Sequence, residues 1–308
     1  MSDAVSIVEL GPRDGLQNEA VALDVATRAA FVRALAAAGL RRIEAGAFVR
    51  PDRVPQMAGS DQLCSTLTAD AALLGAGVRL SALVPNLKGL ERAVAAGVRE
   101  VAVFPAASET FSRRNLNQGV DEALASAAEV CAAATRQGLA VRGYVSTAFG
   151  CPYEGPVPVA AVIRVCEHLL AAGVHEVAVS DTIGVAHPGQ VRDVLSAMLT
   201  AVPRERLALH FHDTRGTALA NVLVALDAGV RTFDACAGGL GGCPFAPGAT
   251  GNLATEDLVY MLQGLGLARD IDLDALVEAS AAIEEAIGHP LPSRCYRATL
   301  ASRRVRSR

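Results

Sequence analysis

A (β/α)8 TIM barrel is the architecture this sequence predicts, on three observations. One phrase recurs four times, each after an Ala/Leu/Val-rich stretch of helical periodicity. It reads Ala38-Gly39-Leu40-Arg41-Arg42-Ile43-Glu44, Ala96-Gly97-Val98-Arg99-Glu100-Val101-Ala102, Ala172-Gly173-Val174-His175-Glu176-Val177-Ala178 and Ala228-Gly229-Val230-Arg231-Thr232-Phe233-Asp234. Eight strand signals alternate with helical ones over about 250 residues, the span such a barrel needs. The turn after the first strand reads Gly11-Pro12-Arg13-Asp14-Gly15. That is not the GxGxxG loop usual in the alternative, a doubly wound open sheet.

The elements follow in order. Val5 to Leu10 is a short apolar run, read as the first strand. In each copy of the phrase, Gly is the residue just past a helix, because it turns left-handed at no steric cost. The apolar residues after it form a buried parallel strand. Weaker units begin after Gly77 and Gly138 and after a helix ending near Pro203. The strands are therefore expected near 5–10, 41–47, 78–84, 99–104, 140–147, 175–181, 206–212 and 231–236. No Pro/Ser-rich linker divides the chain. One barrel domain over 1–308 is expected, with C-terminal helices from about 256 packing on it.

Composition narrows the function. The chain has 308 residues, of which 51% are hydrophobic and 19% charged, enough to bury a large core and too apolar for disorder. A net charge of −4, 4% aromatics and no Trp give no footprint for nucleic acid. The uncharged stretch from Ala235 to Thr255 holds six Gly and two Pro, so it cannot span a membrane. The first strand begins too early to leave room for a signal peptide. Seven Cys without a CxxC pair fit a reducing compartment, so a cytoplasmic location is expected.

Chemistry in a barrel sits at the C-terminal ends of strands. There the sequence offers Arg13 and Asp14 after strand 1, Glu44 on strand 2, Asp181-Thr182 on strand 6, and His210-Phe211-His212-Asp213 on strand 7. Residues two apart on a strand share a face, so both imidazoles can point into the mouth with Phe211 turned outward. Two imidazoles with a nearby carboxylate suit a divalent ion; oxygen-tolerant Mg²⁺ or Mn²⁺ fits better than thiolate-bound zinc. A lone His would more often be an ordinary core residue. Side by side in a turn, Arg13 and Asp14 would ordinarily be a surface ion pair worth little, but their placement after strand 1 makes Asp14 a candidate ligand and Arg13 a candidate stabiliser of a developing oxyanion. Glu44 in an apolar strand is costly unless hydrogen-bonded. The glycine-rich segment from Gly238 to Asn252 carries one thiol, Cys243, and reads as a lid bearing an acid or nucleophile. Cys64, Cys131, Cys151, Cys166, Cys236 and Cys295 are read as small buried hydrophobes.

Several stretches together resemble the 3-hydroxy-3-methylglutaryl-CoA lyase family, metal-dependent TIM-barrel lyases related to the Claisen condensing enzymes. They are Val8-Glu9-Leu10-Gly11-Pro12-Arg13-Asp14-Gly15-Leu16-Gln17-Asn18-Glu19, Val54-Pro55-Gln56-Met57, Pro85-Asn86-Leu87-Lys88-Gly89 and Arg142-Gly143-Tyr144-Val145-Ser146. Gly150-Cys151-Pro152-Tyr153-Glu154-Gly155, Asp181-Thr182-Ile183-Gly184-Val185, and a block from Ala237 through Gly242-Cys243-Pro244 and Gly251-Asn252 to Leu258 complete the set. The resemblance implies that Asp14, His210, His212 and Asn252 are ligands of a divalent metal and that Arg13 holds the acetyl-CoA enolate. It implies that Cys243 closes over the substrate and moves a proton, and that Glu44 and Asp181 are further acidic site residues. Asp14 and His210 are both candidate bases. Asn86, Lys88, Arg113 and Arg114 are candidate CoA contacts. The implied reaction is retro-Claisen cleavage of the acyl-CoA substrate to acetyl-CoA and acetoacetate. A homo-oligomer is compatible with the sequence.

Four positions bear on substrate choice. The strand-2 motif, usually Glu-x-x-Ser-Phe, here reads Glu44-Ala45-Gly46-Ala47-Phe48. Ala178 stands where the family usually has Ser, and Arg215 where it usually has Tyr. Lost hydroxyls and a gained cation would shift recognition toward another acyl group, such as citramalyl-CoA or a longer-chain 3-hydroxyglutaryl-CoA. A condensing synthase is the rival activity, and the Gly-Gly-Cys-Pro loop and the chain length argue against it.

Overall fold

A computed structural model describes residues 4–241 and 251–306. Eight parallel strands, β1 (Ser6–Glu9), β2 (Arg42–Ala47), β3 (Arg79–Leu83), β4 (Glu100–Val103), β5 (Ala140–Val145), β6 (Glu176–Asp181), β7 (Leu207–Phe211) and β8 (Thr232–Ala235), pair in sequence order. β1 pairs with β8, closing the barrel. Each expected strand is present, within two residues at either end.

The crossovers are α1 (Val25–Ala37), α2 (Ser60–Thr68) with α3 (Ala71–Gly75), α4 (Leu87–Ala95), α5 (Glu109–Leu116) with α6 (Val120–Arg136), α7 (Val159–Ala171), α8 (Pro188–Met198) and α9 (Ala218–Asp227). After β8 come α10 (Thr255–Gly264), α11 (Leu273–Ile287) and α12 (Arg294–Arg306). α11 packs against α1, and α12 against α10.

The repeated phrase is one device used four times. Gly39, Gly97, Gly173 and Gly229 all have positive φ. At each, the next N–H reaches back over the helix end: Leu40 to Leu35 O, Val98 to Ala93 O, Val174 to Leu169 O and Val230 to Ala225 O. That closure satisfies terminal carbonyls and aims the chain into the next strand.

The barrel interior is charged as well as apolar. Arg42, Glu100, Arg142, Glu176 and Asp234 are all buried. Arg142 donates to Glu176 Oε1 at 2.7 Å and to Asp234 Oδ1 at 2.6 Å, and Arg42 donates to Glu176 Oε1 at 2.8 Å. Arg42, Glu100 and Glu176 all belong to the repeated phrase. They are inward-facing ion pairs that fill the barrel's lower layers.

Candidate active site

The site lies at the C-terminal ends of the strands, in a cavity of about 160 Å³ lined by Arg13, Asp14, Tyr144, Ser180, His210 and His212, among others. A π-helical turn, Gly11–Gly15, follows β1 and delivers the first two. The Arg13 and Gly15 N–H groups both donate to Leu10 O, at 3.0 and 3.1 Å. Glu9 Oε1 accepts from Gly11 N at 2.7 Å and from Ala237 N at 2.9 Å, and Oε2 accepts from Thr255 Oγ1 at 2.6 Å. This buried carboxylate thus joins the first-strand turn to the segment leaving β8.

Arg13 is held on two sides. Its Nε donates to Glu44 Oε1, and its other arm donates to Asp14 Oδ1 at 2.5 Å. Tyr144 donates its hydroxyl to Glu44 Oε2 at 3.0 Å, and its ring lies 5.5 Å from the guanidinium carbon. Burial opposes the charge of Arg13, but Glu44 and Asp14 outweigh it and push the pKa up. Burial pushes Glu44 up as well, against the pull of Arg13. Burial would also raise the Asp14 carboxyl, yet Arg13 and the two histidines hold it at about 2. At neutral pH Arg13 is a fixed cation and Asp14 a fixed anion.

One ligand atom from each of Asp14, His210 and His212 lies within 4.8 Å of the others. His210 and His212 face inward together, their ring centroids 5.1 Å apart. Phe211 turns outward, as expected, and packs 5.8 Å from the Phe149 ring. His212 Nδ1 lies 2.9 Å from Asp181 O. A carbonyl only accepts, so Nδ1 carries the proton and the Nε2 lone pair is free. Burial and the neighbouring His210 keep the His212 pKa near 4, which leaves the ring neutral.

Asn252 reaches the same place from the far end of the glycine-rich segment, through a bridge to His212. Its Nδ2 donates to Asp14 Oδ2 and to Leu240 O, both at 3.0 Å. Its Oδ1 is buried and has no hydrogen-bond partner among the described residues. A buried amide oxygen without a partner among the described residues, on a side chain bonded to the Asp14 carboxylate, fits a donor set for a cation together with the two imidazoles. Gly241 makes the approach feasible: a Cβ there would lie 2.6 Å from Asn252 Nδ2 and 3.0 Å from Asp14 O.

Other expected residues fall differently. Asp181 is buried, but its carboxylate accepts from Val185 N at 2.9 Å and Ala186 N at 3.0 Å, so it shapes its own loop and serves the site through its carbonyl. Burial raises its pKa to about 6. Arg215 donates to Ile183 O and Gly184 O, at 3.2 and 2.7 Å, and does not line the cavity. Phe48 packs under Arg92 of α4, 5.5 Å from ring centroid to guanidinium carbon, and does not line the cavity either. Ala47 and Ala178 are buried on β2 and β6. Asn86 caps α4, accepting from Gly89 N at 3.0 Å, and Lys88 lies in the first turn of that helix. Arg113 pairs with Glu109 at 2.7 Å, and Arg114 lies over Tyr153. Cys243 lies outside the described residues.

Tyr144, Arg142 and Asp234 were not singled out from the sequence. Arg142, Tyr144 and Ser146 alternate on and just beyond β5, so inward parity at that strand end was the available signal.

A family model described as HMGL-like matches residues 4–283. The hydroxymethylglutaryl-CoA lyase of Pseudomonas mevalonii is 48% identical over 303 residues, covering 98% of this chain and 99% of that protein. A Pseudomonas aeruginosa protein, 48% identical over 96% of this chain and 97% of its own length, is named 3-hydroxy-3-isohexenylglutaryl-CoA/hydroxy-methylglutaryl-CoA lyase. A solved HMG-CoA lyase from Acinetobacter baumannii, in complex with coenzyme A and 3-methylmalate, superposes with a TM-score of 0.90 at 38% identity over 97% of both chains.

Proposed function

The chain belongs to the HMGL-like family, and we propose that Asp14, His210, His212 and Asn252 hold the divalent ion with which its barrel mouth works. The protein is a carbon–carbon lyase that cleaves 3-hydroxy-3-methylglutaryl-CoA to acetyl-CoA and acetoacetate. The observation that carries the metal reading is the convergence of Asp14, His210 and His212, one ligand atom of each within 4.8 Å of the others, beside the Asn252 side chain, whose buried oxygen has no partner among the described residues. The proposed donors are carboxylate, amide oxygen and imidazole, with no thiolate in the cluster among the described residues, a set that favours Mg²⁺ or Mn²⁺.

A divalent ion held by these residues would supply Lewis acidity toward the substrate's oxygens. The remaining chemistry belongs to the chain. Of the two candidate bases, Asp14, an anion with two oxygens, would take the 3-hydroxyl proton, because His210 spends its single lone pair on the ion. As the C–C bond breaks, its electrons pass to the thioester, and Arg13 faces the enolate oxygen so formed. Glu44 and Tyr144 keep the Arg13 fork in place, so little reorganisation is needed when charge develops. Cys243 is assigned from the sequence as the thiol that returns a proton to the enolate carbon. A longer 3-hydroxyglutaryl-CoA is the second reading, supported by the double name of the Pseudomonas aeruginosa relative.

Incubation with 3-hydroxy-3-methylglutaryl-CoA and Mg²⁺ should release acetyl-CoA and acetoacetate in equal amounts. Chelation should stop it and Mn²⁺ or Mg²⁺ restore it. Full activity in chelator would defeat the metal assignment.

A further inference from the structure

His210 and Asp234 are register partners on β7 and β8, and His210 Nδ1 lies 3.3 Å from Asp234 Oδ2. That nitrogen is buried and makes no hydrogen bond of standard geometry among the described residues, so Asp234 stands beside it as a close acceptor at ion-pair distance. Asp234 is itself fully buried, gripped from its other side by Arg142, which donates to Oδ1 at 2.6 Å and to Oδ2 at 3.1 Å. Arg142 also donates to Glu176, and Glu176 accepts a two-pronged pair from Arg42, at 2.8 and 3.1 Å. Arg42, Glu176, Arg142 and Asp234 alternate in sign, so the anion behind His210 is balanced without solvent.

We propose that Asp234 is a positioning residue for this reaction: it fixes the His210 proton on Nδ1 and so presents the Nε2 lone pair to the divalent ion. The inference rests on the metal reading above and extends it to a residue that does not line the cavity. A carboxylate only accepts, so the nitrogen facing it carries hydrogen and the ring's single lone pair is left on the other. His212 receives the same instruction from a main-chain carbonyl, at Asp181. The two imidazoles of the cluster are thus both turned by acceptors behind them, the arrangement that orients metal-binding histidines generally. Arg142 makes the device specific. Its bidentate grip fixes the Asp234 carboxylate plane, and Arg142 is kept in place by Glu176.

Asp234→Asn separates this role from simple packing. The shortest Arg142 bond goes to Oδ1, so the amide oxygen stays there and the NH2 replaces Oδ2 opposite His210. A donor in that position favours the Nε2-protonated ring, which has no lone pair for the ion. Two readouts test it: Mn²⁺ affinity by electron paramagnetic resonance, and imidazole ¹⁵N NMR of the Mg²⁺-loaded protein. In the wild type, both His210 and His212 should carry the proton on Nδ1. In Asp234→Asn, Mn²⁺ affinity should fall about 10–100-fold, the range seen when such outer partners are lost. His210 should switch tautomer while His212 does not. Wild-type protein that binds no Mn²⁺ would overturn the metal reading itself. Wild-type protein that binds Mn²⁺ with His210 protonated on Nε2, or an Asp234→Asn variant of undiminished affinity, would overturn the role of Asp234 alone. The wild-type spectrum decides the point even where the variant does not fold.

Discussion

At the residue scale, function turns on Arg13. Its guanidinium is buried, yet it keeps its charge because Glu44 and Asp14 neutralise it from two directions. Replacing it with Met should lower kcat by about 10²–10³-fold, the cost of losing one preorganised oxyanion partner, with a far smaller change in KM. A loss confined to KM, seen in steady-state kinetics, would make Arg13 a binding group only. The thiols offer a second contrast. Cys166 is buried in α7, where desolvation pushes its pKa up to about 12, so Cys166→Ala should leave the rate nearly unchanged. Cys243→Ala should lose rate far more than substrate binding, and equal effects of the two changes would refute the assignment of Cys243. Arg13, Asp14, His210 and His212 were legible in the sequence because each follows or ends a strand and their types converge on one chemistry. Asn252 was legible only through family resemblance, because its tie to Asp14 spans most of the chain and leaves no local pattern.

At the scale of elements, two connections deserve separate tests. Asn86 caps α4, so Asn86→Ala should cost about 1 kcal/mol in stability, whereas Asn86→Ser should restore most of it. If Asn86 also touches CoA, KM should rise in both variants; a KM that follows stability alone would remove it from the CoA contacts. The second connection is the segment between β8 and α10, pinned by two buried carboxylates. Glu9 binds the N–H groups of Gly11 and Ala237 together with the Thr255 hydroxyl, and Glu256 accepts from Gly238 N and Ser280. Burial raises both to about 7 from an ordinary value of 4.5. The folded state therefore binds these protons more tightly than the unfolded state. Their stabilisation is complete below about pH 4.5 and is lost as pH rises through 7. Melting temperatures measured from pH 5 to 8 should show this decline, and Glu9→Gln should flatten it. An unaltered slope in the variant would assign the dependence elsewhere. The sequence placed these elements but hid this joint, since Glu9 and Glu256 lie far apart in sequence and meet only after the barrel closes.

At the scale of the whole molecule, one scaffold serves two purposes. The four helix-to-strand phrases set the spacing of the barrel, and a charged residue within each of them, Arg42, Glu100, Glu176 and Asp234, fills its interior with paired charge. Buried pairs of this kind contribute little net stability, because desolvation offsets attraction. Their geometry nevertheless carries an ordered line from Arg42 to His210 at the mouth. The period of the repeat revealed the fold directly. It concealed the charge line, because a charged residue just after a helix end reads as surface until its inward parity is known. The central claim is that Asp14, His210, His212 and Asn252 converge on one cation. Anomalous diffraction from crystals equilibrated with Mn²⁺ at activating concentration tests it most directly. The expected result is a strong peak bounded by the Asp14 carboxylate, both imidazoles and Asn252 Oδ1. A strong peak elsewhere with this cluster empty, in protein whose activity depends on Mn²⁺, would contradict it.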